Sequence, residues 1–237
     1  MKLLSVVIPC YNSRDYMEHC INSCLVGGED LEIFIVDDGS SDDTAKIAKA
    51  YEDKYPSICK AIIKENGGHG SGINVGLSMA TGLFFKVVDS DDWLENNTVE
   101  LFVNTQIQYP DMVISCIQYG VVLVEEKLYR IRRKEIPMRF FTKEEALLVF
   151  ESFLQASWAK IFYADVLRKN NLLFPEGIRH HEDCLFMFHY INHMNGLAII
   201  GQPAWNILSR PNSATKQNYS RMMAQSIIDA DMPMINC

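Results

Sequence analysis

The sequence contains no apolar run approaching the roughly 18 residues that a membrane-spanning helix needs. Its opening MKLLSVVIP is too short for that, or for the apolar region of a signal peptide, and passes directly into folded-domain patterning. Paired cysteine motifs are also missing: Cys10, Cys20, Cys24, Cys59, Cys116, Cys184 and Cys237 are seven in all, scattered, with no C-x-x-C or zinc-type spacing. An odd, dispersed set points to reduced thiols in a cytoplasmic compartment. Cys20 and Cys24 stand four apart on an expected helix, where buried thiols are a commoner outcome than a ligand pair. Positive charge is in short supply, with 22 Lys and Arg against 30 Asp and Glu and a net charge of −8. That balance argues against nucleic acid as a partner, but an acidic chain can still hold one diphosphate if a divalent cation neutralises it. Neither G-x-G-x-x-G nor a Walker loop occurs, and there is no internal repeat or low-complexity linker.

What is present is a length of 237 residues, 48% of them hydrophobic, enough to bury a real core in one compact domain. Leu3 to Pro9 and Leu31 to Val36 are continuous branched apolar runs, the pattern of strands covered on both faces. Cys59 to Ile63 and Leu83 to Val88 complete a set of four. Helical spacing separates them at Tyr16 to Leu25, Thr44 to Tyr55 and, after a glycine-rich loop from Asn66 to Gly72, a short helix over Asn74 to Ala80. Another helix is expected from Asn97 to Gln108. This alternation predicts an α/β fold of Rossmann type, a mostly parallel central sheet with right-handed crossovers and helices on both sides. The second half is less regular. Met112 to Gln118, Val121 to Val124 and Tyr129 to Arg133 read as strands, and Lys143 to Phe153, Ala164 to Asn170 and His181 to Ile191 as helices. A composition shift at Tyr109-Pro110 divides residues 1–110, a nucleotide-binding half, from residues 111–237, an acceptor half with C-terminal helices of the same domain.

Sheets of this kind bind ligands at the carboxyl ends of their strands. Three of the four strands end in polar residues there: Tyr11-Asn12, Asp37-Asp38 and Asp89-Ser90-Asp91-Asp92. Three carboxylates in four residues repel one another unless a cation or water screens them. A hard divalent ion, Mn²⁺ or Mg²⁺, bound through one or two carboxylates and the phosphates of a substrate, would relieve that repulsion; a solvated turn ahead of the next helix is the alternative. At Asp37-Asp38 the carboxylates suit a uracil imide or a ribose hydroxyl, while Asp42 or Asp43 suits the cap of the following helix. Four glycines between Asn66 and Gly72 allow positive φ and close backbone approach to phosphate, or make a plain turn. His69 reads as a loop residue rather than a ligand.

Taken together, Ser5-Val6-Val7-Ile8-Pro9-Cys10-Tyr11-Asn12, Val36-Asp37-Asp38-Gly39-Ser40-Ser41-Asp42-Asp43-Thr44, Asn66 to Gly76 and Asp89-Ser90-Asp91-Asp92-Trp93 resemble the successive motifs of family 2 glycosyltransferases with the GT-A fold. They fall in order at the usual intervals over about the first hundred residues. The resemblance implies that Pro9, Tyr11 and Asn12 line the nucleotide base, that Asp38 contacts uracil, and that Asn66 and Gly68 belong to the donor site. It assigns Asp89 to the ribose or to metal-bound water, and Asp91 to direct metal coordination, with Asp92 as a substitute or supporting acid. Many members carry an arginine before the asparagine that matches Asn74; this chain has Ile73, which removes an expected diphosphate contact. Further on, Trp158-Ala159-Lys160, Phe174-Pro175-Glu176 and His181-Glu182-Asp183 are similar to a W-x-K segment preceding an acidic pair, and Asp183 matches the general base. Acid enrichment in the first turn of a helix is the alternative for that pair. Lys160 and Arg210 are candidate cationic contacts to the diphosphate or the acceptor. His180 and His181 are read as acceptor-loop residues.

The expected activity is transfer of a sugar, with inversion, from a nucleotide-diphosphate donor, a UDP-sugar by preference, to a saccharide or lipid-linked acceptor in cell-surface polysaccharide synthesis. A nucleotidyltransferase and an inactive sugar-nucleotide-binding module are the alternatives. The Met-rich stretch from Tyr219 to Cys237 fits packing on the domain, a homodimer contact, or peripheral contact with the inner face of the membrane.

Overall fold

The computed structural model describes residues 2–109, 112–124, 127–131, 137–148, 157–178 and 181–209. Its first half alternates strand and helix as the sequence predicts: β1 (Leu4–Cys10), α1 (Met17–Leu25), β2 (Leu31–Asp38), α2 (Thr44–Lys54), β3 (Cys59–Lys64), α3 (His69–Met79) and β4 (Phe84–Val87). β5 (Trp93–Leu94) and α4 (Thr98–Gln108) follow. Then come β6 (Val113–Val124), β7 (Lys127–Ile131), β8 (Arg139–Thr142), α5 (Lys143–Leu148), β9 (Lys160–Tyr163), α6 (Ala164–Lys169), α7 (Glu182–Tyr190) and β10 (Gly196–Ser209).

The sheet runs β3-β2-β1-β4-β9-β6-β10-β5, with β7 beside β6 and β8 beside β10. β3, β2, β1 and β4 are mutually parallel. β9 then enters antiparallel between β4 and β6, carrying the sheet from the first half of the chain into the second. Because side chains alternate across a strand, β1 sends Leu4, Val6, Ile8 and Cys10 to one core with α1, α2 and α4. Its Val7 goes to the other, built with α3, α6 and α7. Both faces are covered, which is why these strands read as unbroken apolar runs rather than alternating ones. Burial of each large aliphatic or aromatic side chain contributes about 1.5–3 kcal/mol.

The glycine-rich stretch corrects one expectation. The helix begins at His69, so Gly70 and Gly72 lie inside α3 and not in a loop, together with Gly76, which was expected there. Their role is close approach. A Cβ on Gly76 would lie 2.4 Å from Val7 Cγ2 of β1, and one on Gly70 would lie 2.4 Å from the carbonyl oxygen of Pro175. Gly76→Ala is therefore expected to destabilise the chain by about 1–3 kcal/mol through overpacking, read as a lower midpoint in urea. An unchanged midpoint would mean that α3 can lift from the sheet at no cost.

Four further elements had no counterpart in the sequence reading: β5, β8, β9 and β10. Residues Met112 to Gln118 and Val121 to Val124, read as two strands, form the single β6. The helix expected from Lys143 is described to Leu148, and its predicted continuation to Phe153 lies outside the described residues. So do the Met-rich C-terminal stretch, His180 and Arg210. Among the described residues no helix is long and apolar enough to cross a membrane.

Candidate active site

The polar tips of β1, β2 and β4 are stitched together by side chains. Asn12, at φ 49°, accepts hydrogen bonds on Oδ1 from the Ser41 amide (2.9 Å) and the Ser41 hydroxyl (3.2 Å), and its own amide donates to Ser40 Oγ at 2.8 Å. That joins β1 to the turn after β2. Ser13 joins β1 to the turn after β4, its Oγ lying 2.7 Å from Ser90 Oγ, while its amide donates to Thr44 Oγ1 at 2.8 Å. The cap of α2 comes from Asp42, whose Oδ1 accepts from the Thr44 amide at 3.0 Å. Asp43 makes no such bond.

Asp38 is almost wholly buried. One of its oxygens takes Lys64 Nζ and the Gly67 amide, and the other takes the Gly68 amide at 2.8 Å. Asn66 Nδ2 donates to the Asp38 carbonyl at 2.9 Å. A carboxylate has about four acceptor positions, so these bonds leave room for one more donor. Gly68 needs its hydrogen: at φ 88° it occupies the left-handed region that turns the chain into α3. Beside it, Pro9 is buried in β1 and Tyr11 stands 58% exposed just beyond, free to meet a planar ring.

The first residue of α3, His69, is the functional candidate that sequence reasoning passed over. Its Nδ1 lies 2.7 Å from Glu182 Oε1 and its Nε2 lies 3.1 Å from Asp89 Oδ1. Both partners are carboxylates, acceptors when ionised, so the ring donates from both nitrogens. Burial alone would lower the histidine pKa; the bonds to Asp89 and Glu182 overcome that and hold it well above its ordinary value. The signal was a histidine within a run of glycines, but nothing local could show that its partners lie 20 and 113 residues away.

Asp183 follows Glu182 in the first turn of α7. Burial, then repulsion from Glu182, pushes its carboxyl up to about 6; Asp89 adds to the rise, while the Cys184 amide and the Lys160 charge oppose it. The acid is thus close enough to both Asp89 and Lys160 to feel their charges. Lys160 is completely buried in β9. From there the charge of Lys160, expected as a cationic contact to the diphosphate or the acceptor, reaches Asp183. α7 is held by a ring stack: Phe174 and Phe186 lie 3.9 Å apart with 7° between planes, and Phe162 meets Phe186 edge-on at 5.5 Å. Pairs of this kind contribute about 0.5–1.5 kcal/mol beyond their burial.

α3 reaches the same region a second time. Asn74 Nδ2 donates to the Phe174 carbonyl (2.9 Å) and to Glu176 Oε1 (3.0 Å), and Asn74 Oδ1 accepts from the Phe174 amide at 2.8 Å. Ile73, where an arginine was looked for, is wholly buried in the core. Asp92, the expected substitute or supporting acid, is buried, and its Oδ1 accepts the Leu208 amide of β10 at 3.1 Å.

Among the described residues no three metal-type side chains converge on one point. Asp89 and Asp91, the acids of the turn after β4 expected to hold an ion, offer oxygen donors. That set fits a hard divalent ion that completes its shell with phosphate and water.

The acidic turn after β4 and the first turn of α7 are thus brought together through His69, at the strand-end side of a mostly parallel α/β sheet, where folds of this class bind nucleotides. The family model for glycosyl transferase family 2 matches residues 5–170. The chain belongs to that family. It is 27% identical over 236 residues to the glycosyltransferase EpsJ of Bacillus subtilis (strain 168), covering 95% of this chain and 66% of that one. To the poly(ribitol-phosphate) beta-N-acetylglucosaminyltransferase TarS of Staphylococcus aureus (strain MW2) it is 26% identical, covering 98% of this chain and 42% of TarS. The chain thus spans between about two fifths and two thirds of these relatives. The structure of S. aureus TarS residues 1–349 with UDP-GlcNAc superimposes with a TM-score of 0.75 at 24% identity, over 98% of this chain and 68% of that one. The mannosyltransferase PcManGT of Pyrobaculum calidifontis, solved with GDP-Man and Mn²⁺, gives 0.64 at 17% identity, over 96% of this chain and 62% of that one. Both superpositions place the chain in the GT-A fold.

Proposed function

We propose that the chain transfers a sugar from a nucleotide-diphosphate donor, a UDP-sugar by preference, to a hydroxyl of a saccharide or lipid-linked acceptor, inverting the anomeric carbon. The observation that carries this reading is that His69 ties Asp89, on the donor side, to Glu182 at the start of α7, which sets the half-buried Asp183, its carboxyl pushed up to about 6, within electrostatic reach of Asp89. In the reaction the acceptor oxygen forms a bond to the anomeric carbon as its proton passes to Asp183. The bond from that carbon to the diphosphate oxygen breaks, and its electron pair leaves with the nucleotide. An acid that ionises near neutrality is matched to this work. Asp89 and Asp91 would hold Mn²⁺ or Mg²⁺, which supplies charge neutralisation for the departing diphosphate. The Mn²⁺ and GDP-Man bound to PcManGT, and the UDP-GlcNAc bound to TarS, support the choice of ion and donor class.

On this reading Pro9, Tyr11, Asp38, Asn66 and Gly68 face the nucleoside. Asn12 keeps that site in shape through its bonds to Ser40 and Ser41. Residues 1–110 form the donor half and residues 111–237 the acceptor half, working at the inner face of the membrane, with a homodimer as the assembly to look for. The test is a melting panel of nucleotides and UDP-sugars with and without MnCl₂. A matched sugar nucleotide with Mn²⁺, near one hundred times its dissociation constant, is expected to stabilise by about 2.7 kcal/mol, a rise of about 5–10 °C. Turnover should release UDP. Release of pyrophosphate would make the chain a nucleotidyltransferase, and stabilisation without turnover would make it a binding module.

A further inference from the structure

Three acids that matter to the proposed reaction lie on segments far apart in the chain, and the first turn of α3 touches two of them with one ring. Asp89 follows β4, on the donor side; Glu182 opens α7, on the acceptor side, next to Asp183. Left alone, Asp89, Glu182 and Asp183 repel, and their mutual charge acts to push the Asp183 proton affinity up. His69 lies between the two sides and ties them, its Nδ1 2.7 Å from Glu182 Oε1 and its Nε2 3.1 Å from Asp89 Oδ1. Its own position is fixed from behind. Gly67 and Gly68 donate to Asp38, Gly70 lies against Pro175 with no space for a side chain, and Asn74 grips Phe174 and Glu176. The backbone that carries the ring is thus held at several points along α3.

We infer that His69 is a positioning residue: it couples the donor-side acid Asp89 to the helix that carries Asp183, and so sets the distance between the departing diphosphate and the base. The inference rests on the reading of Asp183 given above. Displacements of about an ångström between reacting groups are enough to cost on the order of 10²-fold in rate. His69 therefore acts on the chemical step more than on donor affinity.

The geometry selects the variants. An asparagine at residue 69 can reach toward one carboxylate and a glutamine toward the other, but neither spans both. His69→Asn, His69→Gln, Glu182→Gln and the double variant His69→Gln with Glu182→Gln would be compared with the full chain. UDP release from a panel of UDP-sugars gives turnover, and calorimetric titration with UDP and MnCl₂ gives affinity. Each single variant is expected to lower kcat by about 10–100-fold. UDP affinity should stay within about threefold, and the double variant should be no slower than the slower single, because the two residues form one link. Losses that multiply in the double variant would overturn the inference. So would wild-type kcat in both His69 variants, or a loss that follows a fall in melting temperature beyond about 5 °C. Asp183→Asn separates this from failure of the underlying reading. If Asp183→Asn turns over normally, the base assignment is wrong; if it is inactive while His69→Asn and His69→Gln are unimpaired, the base stands and the coupling role falls.

Discussion

Asp183→Asn is expected to lower sugar transfer by about 10²–10⁴-fold and, at pH 7, to raise the melting temperature. The two effects have one cause. In the folded chain the Asp183 carboxyl ionises at about 6 instead of its ordinary 3.8, first through burial and then through repulsion from Glu182. A raised folded pKa means that the native state binds the proton more tightly than the unfolded chain does. The stabilisation this gives is complete below about 3.8 and is lost as the pH rises through about 6. At pH 7 the ionised acid therefore costs at most about 3 kcal/mol, the two-unit difference at 1.36 kcal/mol per unit. Asparagine keeps the shape and removes the charge, so the melting temperature should rise by between about 2 and 10 °C. Circular dichroism melts at pH 7 and pH 4 check this directly, since the gain should shrink toward zero at the lower value. Wild-type transfer should fall about tenfold per unit below pH 6 as Asp183 takes up its proton. An Asp183→Asn chain that melts lower at pH 7 than the wild type would show that the carboxylate is held by favourable bonds and is not poised as a base.

Strain of this kind is legible only in three dimensions, and the same division runs through the whole molecule. The strands β1, β2 and β4 announced themselves because each is covered on both faces, which forces an apolar run that composition alone exposes. Asp38, Asp89 and Asp91 were visible because strand-end carboxylates are costly without a partner. β9 and β10 were not visible. β9 is four residues long and contains a lysine, which reads as surface until the sheet is seen to close over it. β10 contains Gly201, Gln202 and Pro203, and its register with β6 shifts on either side of Pro203, so no simple alternation survives. Gly70 and Gly72 were read as part of a loop because a run of glycines allows positive φ and close backbone approach to a ligand. Here tertiary contact decides otherwise: Val7 and Pro175 leave no volume for a larger residue, and packing outweighs propensity.

His69 shows the limit most clearly. Histidine between glycines carries no pattern, and its meaning comes from Asp89 and Glu182 approaching from the ends of two separate elements. Ser13 and Ser90 are similar. Each is an ordinary turn residue in sequence, and together they form the buried bond that sets the acidic turn after β4 beside the tip of β1. Lys160 runs the other way: a basic residue matched to a motif proves to be sealed beneath the site, where its charge reaches Asp183 through the protein. Long-range pairings of this sort fix catalytic geometry, whereas local pattern fixes only which elements exist.

The acidic turn after β4 contains two neighbouring aspartates that should fail in opposite ways. Asp91→Ala is expected to reduce turnover by at least about 10³-fold, the scale on which removal of transition-state charge stabilisation acts. It should also abolish the part of UDP binding that depends on Mn²⁺, because a divalent ion at this site draws on only one or two protein carboxylates and cannot spare one. Asp92→Ala should leave the Mn²⁺-dependent part of UDP affinity intact. Its Oδ1 accepts the buried Leu208 amide of β10 at 3.1 Å, and removing it strands that donor at a cost of about 1–3 kcal/mol, read as a lower midpoint in urea. Calorimetric titration of UDP with and without MnCl₂, alongside denaturation of both variants, separates the two. If Asp92→Ala loses the metal-linked affinity and Asp91→Ala keeps it, the ion is held by the second acid of the pair, and the assignment of Asp91 as metal ligand is wrong. If neither variant changes the Mn²⁺ response, the leaving diphosphate is neutralised by other groups and the metal-dependent reading fails. The contrast between the two residues, one tied to the sheet and one assigned to the ion, is what gives the experiment its power.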